Sequence, residues 1–270
     1  MKEMEIFPIG IVKSAYSSVK EIPMSGGVAS IVIEDQFLPA LDHLEKNSHL
    51  IIIGFMSEVS RDVLKVRPRQ MREDYPEIGV FSTRSPARPN PVSMTVCKLL
   101  EIRDNTIIVD NLDLIDGTPV LDIKPYIPNA DCFFSARDGI YDDIQKSVDD
   151  EVRCGIFERE AVKFHGELCA RLVVACRITV RVYGEFGSLR RDELVAVCNA
   201  HPCITDCVQG ITYARAGLRR FVLGTDAGRL EFMDKDKRLI VEISDLEGLT
   251  IEDARKAELN KLVKFVLIRK

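Results

Sequence analysis

The strongest constraint on the fold is a change of hydrophobic period near the middle of the chain. Up to about residue 130 the apolar residues fall in short continuous or alternating runs, at 6–12, 29–33, 50–56, 94–102 and 106–111, several bounded by Gly, Pro or Asn-Asp turn signals. Only residues 37–44 have helical spacing there. Many short strands with little helix to cover them predict a small, mainly β barrel. The later part reads differently: helices at 168–183 and 192–199, alternating strands at 220–224, 229–233 and 239–243, and an amphipathic helix from 251 to about 267. That is the pattern of an α+β domain. Between 138 and 163 the chain is charged and loses its apolar period, so the expected division is a barrel over 1–140, a linker over 141–160 and an α+β domain over 161–270.

A length of 270 residues with 46% hydrophobic and 29% charged content exceeds one small domain and excludes a disordered chain. No apolar run approaches the roughly 18 residues that span a bilayer, and Met1 to Gly10 lacks the charged start and apolar stretch of a signal peptide. A soluble, cytoplasmic protein without a membrane partner is the expectation. Eight dispersed cysteines in a chain large enough to bury a core point to thiols or metal ligands rather than a disulfide framework. The net charge of −5 argues against coating nucleic acid by bulk charge, but not against a local site. Arg61, Lys65, Arg67, Arg69 and Arg72 fall in twelve residues opposed only by Asp62, as either a solvated loop or a phosphate-contacting one.

Next to this run lies Gly79-Val80-Phe81-Ser82-Thr83-Arg84-Ser85-Pro86-Ala87-Arg88-Pro89-Asn90-Pro91. Its closely spaced prolines forbid a helix and most ladder pairing, so the segment is a stiff loop presenting Arg84, Ser85, Arg88 and Asn90. Guanidinium forks on a rigid loop suit carboxylate or phosphate groups. A second irregular stretch, residues 112–128, concentrates Asp116, Asp122, Lys124 and Tyr126 around the turn Asp116-Gly117-Thr118-Pro119. Asp122 and Lys124 share a face if the backbone is extended, where a surface ion pair is the simplest reading.

These two runs, with Ile9-Gly10-Ile11-Val12, closely resemble the signature segments of the tRNA methyltransferase O, or TsaA-like, family over about residues 5–135. The resemblance implies a β-barrel methyltransferase, working as a homodimer, that transfers a methyl group from S-adenosylmethionine to the N6 of threonylcarbamoyl-adenosine beside the anticodon of tRNA. It implies cofactor-binding segments at Gly26, Gly27 and Val28, at Ser57 and Glu58, at Arg84, at Met94, and at Ile115, Asp116, Gly117 and Thr118. Glycines there allow close approach of backbone to a nucleoside, Met94 offers soft apolar contact, and the turn amides near Asp116 can donate to it. Ser57-Glu58 stands where relatives often carry His, and Val92-Ser93 where many carry Ile-Gly.

An exocyclic nitrogen bearing a carbamoyl group is a poor nucleophile, so a base is useful: Asp122 is the first candidate and Asp116 the second. Arg88 and Lys124 are candidates for the threonyl carboxylate, and Asn90 and Tyr126 complete the substrate-facing set. In the second half, Phe164-His165-Gly166-Glu167-Leu168-Cys169 and Cys203-Ile204-Thr205-Asp206-Cys207-Val208-Gln209 resemble the two motifs of the formylmethanofuran dehydrogenase E-like domain. Glu167 and Ala170 stand where that domain usually has His and Pro. His165, Cys169, Cys203 and Cys207, each pair four residues apart, form a candidate zinc set, with His201 as an alternative to Cys207. Other readings are a non-enzymatic S-adenosylmethionine sensor and a metal or redox accessory protein acting through the second domain.

Overall fold

The computed structural model describes residues 5–23, 26–68, 71–136, 138–225 and 227–269. Arg69 of the basic run lies outside them. The chain divides into two compact units, one built from most of the residues up to 136 and the other from most of those beyond.

In the first unit the strands are β1 (Gly10–Lys13), β2 (Gly27–Ile33), β3 (His49–Phe55), β4 (Lys65–Val66), β5 (Ile78–Gly79), β6 (Val92–Arg103), β7 (Thr106–Leu112) and β8 (Pro119–Pro125). Six of them close into an antiparallel barrel in the order β1-β2-β7-β6-β3-β8, while β4 and β5 form a separate ribbon. Alternation decides what fills it: Val12, Ile31, Leu50, Ile52, Cys97, Ile107, Val109 and Val120 are fully enclosed, and their neighbours Ile51 and Ile53 lie on the outer wall. Each such Leu or Ile contributes about 1.5–3 kcal/mol on burial. Strand β8 falls in the stretch expected to be irregular. Its prolines sit at its two ends, where a missing ladder donor matters least, and its pairing with both β1 and β3 closes the barrel. The expected helix at 37–44 is instead two 3₁₀ segments, Asp35–Leu41 and Leu44–Lys46, separated by His43 in the left-handed region. One helical turn, α1 (Pro128–Asp131), follows β8.

The second unit holds α2 (Tyr141–Ser147), α3 (Asp150–His165), α4 (Ala170–Phe186), α5 (Pro202–Thr212), α6 (Ile251–Lys256) and α7 (Leu259–Leu262). Its five-stranded sheet has the order β10-β9-β11-β12-β13, from β9 (Val195–Asn199), β10 (Phe221–Leu223), β11 (Arg229–Met233), β12 (Lys237–Ile243) and β13 (Val263–Arg269). The core joins Phe157, Leu172, Ile178, Val208 and Ile211 of the helices to Leu230, Phe232 and Val241 of the sheet.

Three expectations fail here. Residues 141–160 are not a linker but α2 and most of α3: Ile156, Phe157 and Ala161 form a narrow buried stripe that the surrounding charges hide. Residues 192–199 contain no helix, because Ala196 and Cys198 are buried on alternate positions of β9. The terminal helix ends early, and residues 263–269 pair along their whole length with β12. Among the described residues no helix is long and apolar enough to cross a membrane.

Candidate functional site

Antiparallel register places the C-terminal ends of β1, β3 and β7 and the N-terminal ends of β2, β6 and β8 at one rim of the barrel. The segments 14–26, 56–91 and 113–118 connect them there. Every residue of the expected cofactor set lies on this rim or on its loops: Gly26, Gly27 and Val28 entering β2, Ser57 and Glu58 leaving β3, Arg84 in the long loop, Met94 near the start of β6, and Ile115 to Thr118 between β7 and β8. Val28 and Met94 are exposed. Arg84 is exposed and has neither hydrogen bond nor ion pair among the described residues.

The glycines are needed by the protein's own packing. A Cβ at Gly26, whose φ is +69°, would lie 2.6 Å from the carbonyl carbon of Asn111, and one at Gly27 would lie 2.7 Å from Tyr16 Oη. The 115–118 turn is likewise tied down. Gly117 N–H donates to Val12 O at 2.9 Å, Asp116 N–H donates to Tyr16 O at 2.8 Å, and Thr118 Oγ1 donates to Ile115 O at 2.8 Å. The amides expected to meet a nucleoside therefore hold the turn against β1. Asp116 caps that turn by accepting the Ser14 N–H at 3.1 Å on one oxygen.

The stiff loop is equally self-contained. Arg88 Nε donates to Ser85 O at 2.8 Å and Nη2 donates to Val80 O at 2.9 Å and to Thr83 O at 2.5 Å. Arg61 Nε donates to Pro89 O at 2.9 Å and Nη2 donates to Asn90 Oδ1 at 3.4 Å. Arg88 and Asn90 thus shape the loop, and part of the basic run is engaged the same way. Arg67 Nε donates to Tyr75 O at 2.7 Å.

Asp122 lies opposite Ile53, which lies opposite Met94, so the three form one row across the outer wall two residues from the β3 end of the rim. Asp122 Oδ2 pairs with Lys124 Nζ at 2.6 Å, both side chains about half exposed. Tyr126 does not join them. Its N–H donates to His49 O at the opposite rim, at 3.0 Å, and partial burial followed by neighbouring Cys132 raises its phenol. Sequence reasoning also passed over Asp113. Its carboxylate accepts a short hydrogen bond from the buried Thr95 hydroxyl, and only its place just before the 115–118 turn hints at a role.

In the second unit, Gly166 at φ +99° ends α3 and turns the chain, so His165, the last residue of α3, meets Cys169, the N-cap of α4. Cys203, the second residue of α5, completes the group: the ligand atoms of His165, Cys169 and Cys203 lie within 4.8 Å of one another. Asp206, one turn along α5 and missed in the sequence, accepts from His165 Nδ1 at 2.9 Å and leaves Nε2 to the group. Partial burial and then Cys169 push the Cys203 thiol up to about 11.

Cys207 does not belong to this group. It is buried with its Sγ 3.5 Å from Cys176 Sγ, because α5 turns that position into the core between α4 and the sheet. His201 caps α5, accepting the Cys203 N–H at 3.3 Å. Two thiols and an imidazole backed by a carboxylate suit zinc, and three protein donors leave a fourth position for another ligand.

The family model described as the tRNA-methyltransferase O N-terminal domain matches residues 11–132. The one described as FmdE, molybdenum formylmethanofuran dehydrogenase operon, matches residues 164–262. An S-adenosyl-L-methionine-binding protein of Archaeoglobus fulgidus is 41% identical over 133 residues, which are 48% of this chain and 94% of that protein. A probable S-adenosyl-L-methionine-binding protein of the same organism is 28% identical over all of this chain and 75% of its own length. The putative S-adenosylmethionine-dependent methyltransferase RcsF of Pseudomonas aeruginosa is 34% identical over 51% of this chain, which covers 63% of that protein's length.

Proposed function

We propose, from the premise that the chain belongs through its N-terminal unit to the tRNA-methyltransferase O family, that it is an S-adenosylmethionine-dependent methyltransferase. Its substrate in this reading is the N6 of threonylcarbamoyl-adenosine beside the anticodon of a tRNA, and it works as a homodimer through the barrel. One observation carries it: segments scattered over nearly a hundred residues of chain converge on a single rim, with Asp122 in the row that begins at Met94.

S-adenosylmethionine, when bound, supplies an activated methyl group, so placement of the acceptor nitrogen provides much of the rate. Open apolar side chains at Val28 and Met94 and the unpaired fork of Arg84 suit its adenosine and carboxylate. Asp122 takes the proton released from N6, and Lys124 exchanges its partner for the threonyl carboxylate. The second unit holds zinc through His165, Cys169 and Cys203.

The protein is incubated with S-adenosylmethionine and tRNA from a strain lacking the methyl group, and digested nucleosides are examined by mass spectrometry. Methylated threonylcarbamoyl-adenosine is expected. Binding of the cofactor without transfer to any nucleoside would instead favour a sensor, in keeping with relatives named only for binding. Arg84→Ala should weaken cofactor binding more than about tenfold by calorimetry, and an unchanged affinity would remove Arg84 from the site.

A further inference from the structure

Among the described residues several carboxylates of the rim and its loops lack a cationic partner, Glu58, Asp62, Asp113 and Asp116 among them, and of these four Asp113 is the one held by a buried side-chain hydroxyl. Asp116 is occupied by the Ser14 amide, and Asp122 is paired with Lys124. Asp113 is exposed and has no cationic partner among the described residues; what holds it is the hydroxyl of Thr95. Thr95 is itself buried, so it fixes one carboxylate oxygen of a residue that is otherwise exposed.

Asp113 is also where the rim segments meet. Leu112, just before it, pairs with Gly27. Thr95 follows Met94 on β6. Leu114, just after it, lies with Ser93 and Thr118 around Gly54, where a Cβ would come within 2.9 Å of Leu114 Cδ1. An oriented anion without a cationic partner beside three of the cofactor segments fits the charge that distinguishes this cofactor from its demethylated product. Resting on the methyltransferase reading, we infer that Asp113, oriented by Thr95, is the positioning residue that receives the sulfonium of S-adenosylmethionine and discriminates it from S-adenosylhomocysteine.

The function follows from the sign of the charge. Before transfer the sulfur is cationic and is held by the carboxylate; afterwards it is neutral and this attraction is gone, so product leaves more readily. The test measures the affinities of S-adenosylmethionine and S-adenosylhomocysteine by calorimetry in the full chain, for wild type, Asp113→Asn and Thr95→Val. The isosteric Asp113→Asn should lose affinity for the cationic ligand by about tenfold, the scale of removing one nearby charge at a solvent-open site, while affinity for the neutral product changes by less than about twofold. Thr95→Val should show the same preference in weaker form, and retained product binding demonstrates a folded site. Equal losses for both ligands, or no loss for either, overturn the role of Asp113 while leaving the methyltransferase reading standing. Wild type that binds neither ligand overturns both.

Discussion

The two units treat polar groups in opposite ways. Among the described residues of the barrel only Thr95 and Thr118 are buried polar side chains, whereas the second unit buries Gln145, Arg153, Thr179, Thr212, Arg220 and Glu231. In the second unit the guanidinium of Arg190 lies between the rings of Tyr141 and Tyr213, 3.6 Å and 3.9 Å from their centroids, and pairs with Glu160 at 3.0 Å. Arg153 donates to Gln145 O at 2.6 Å and to Val148 O at 2.8 Å. The barrel has no interior room for such groups, since alternating residues of six strands fill it with apolar side chains. Its charges are left on loops and outer wall, where ligands reach them. In the second unit charge mostly builds structure, and the exception is the His/Cys group at three helix ends.

Metal content should break this comparison most completely. Zinc of about one per chain is expected after purification without an affinity tag, with none in a Cys169→Ser, Cys203→Ser double variant and full retention in Cys207→Ser. Elemental analysis decides it, and loss on Cys207→Ser would restore the four-residue set. Next in size, Glu160→Ala leaves the partly buried Arg190 without its carboxylate and should cost up to roughly 3–5 kcal/mol in denaturant unfolding. A cost below about 1 kcal/mol would mean that the ring stacking alone holds Arg190. The same measurement on Arg88→Ala should cost about 1–3 kcal/mol, because up to three loop carbonyls lose their donor.

Alkaline pH offers a point at which the units should behave alike. Burial pushes the thiols of Cys97 in the barrel and Cys198 in the sheet up to about 12. A pKa raised by folding favours the protonated form in the native state, so this stability is complete below the ordinary thiol value and is lost as pH rises toward 12. Near pH 10 each thiol should cost its unit about 1–1.5 kcal/mol, removed by the corresponding Cys→Ala change. Unfolding curves with the same alkaline slope before and after substitution would contradict it. The smallest effect belongs to the exposed pair on the outer wall: Lys124→Ala should change stability by no more than about 1 kcal/mol, whatever it does to methyl transfer.

Local pattern settled much of this molecule. The alternation at 29–33, 50–56, 94–102 and 106–111 marks four barrel strands, and the Asp116-Gly117-Thr118-Pro119 turn sits where its residue types require. The rest depended on partners distant in sequence. Strand β8 is a strand because β1 and β3 stand on either side of it, and residues 263–269 leave the helical state because β12 offers a full ladder. Arg88 turns out to brace its own loop, and Cys207 reads as a metal ligand until α5 turns it toward Cys176. Sequence spacing records which residues can share a face of one element. Whether that face meets solvent, a ligand or the core is decided by hydrogen bonds and burial between elements, which exist only once the chain has closed on itself.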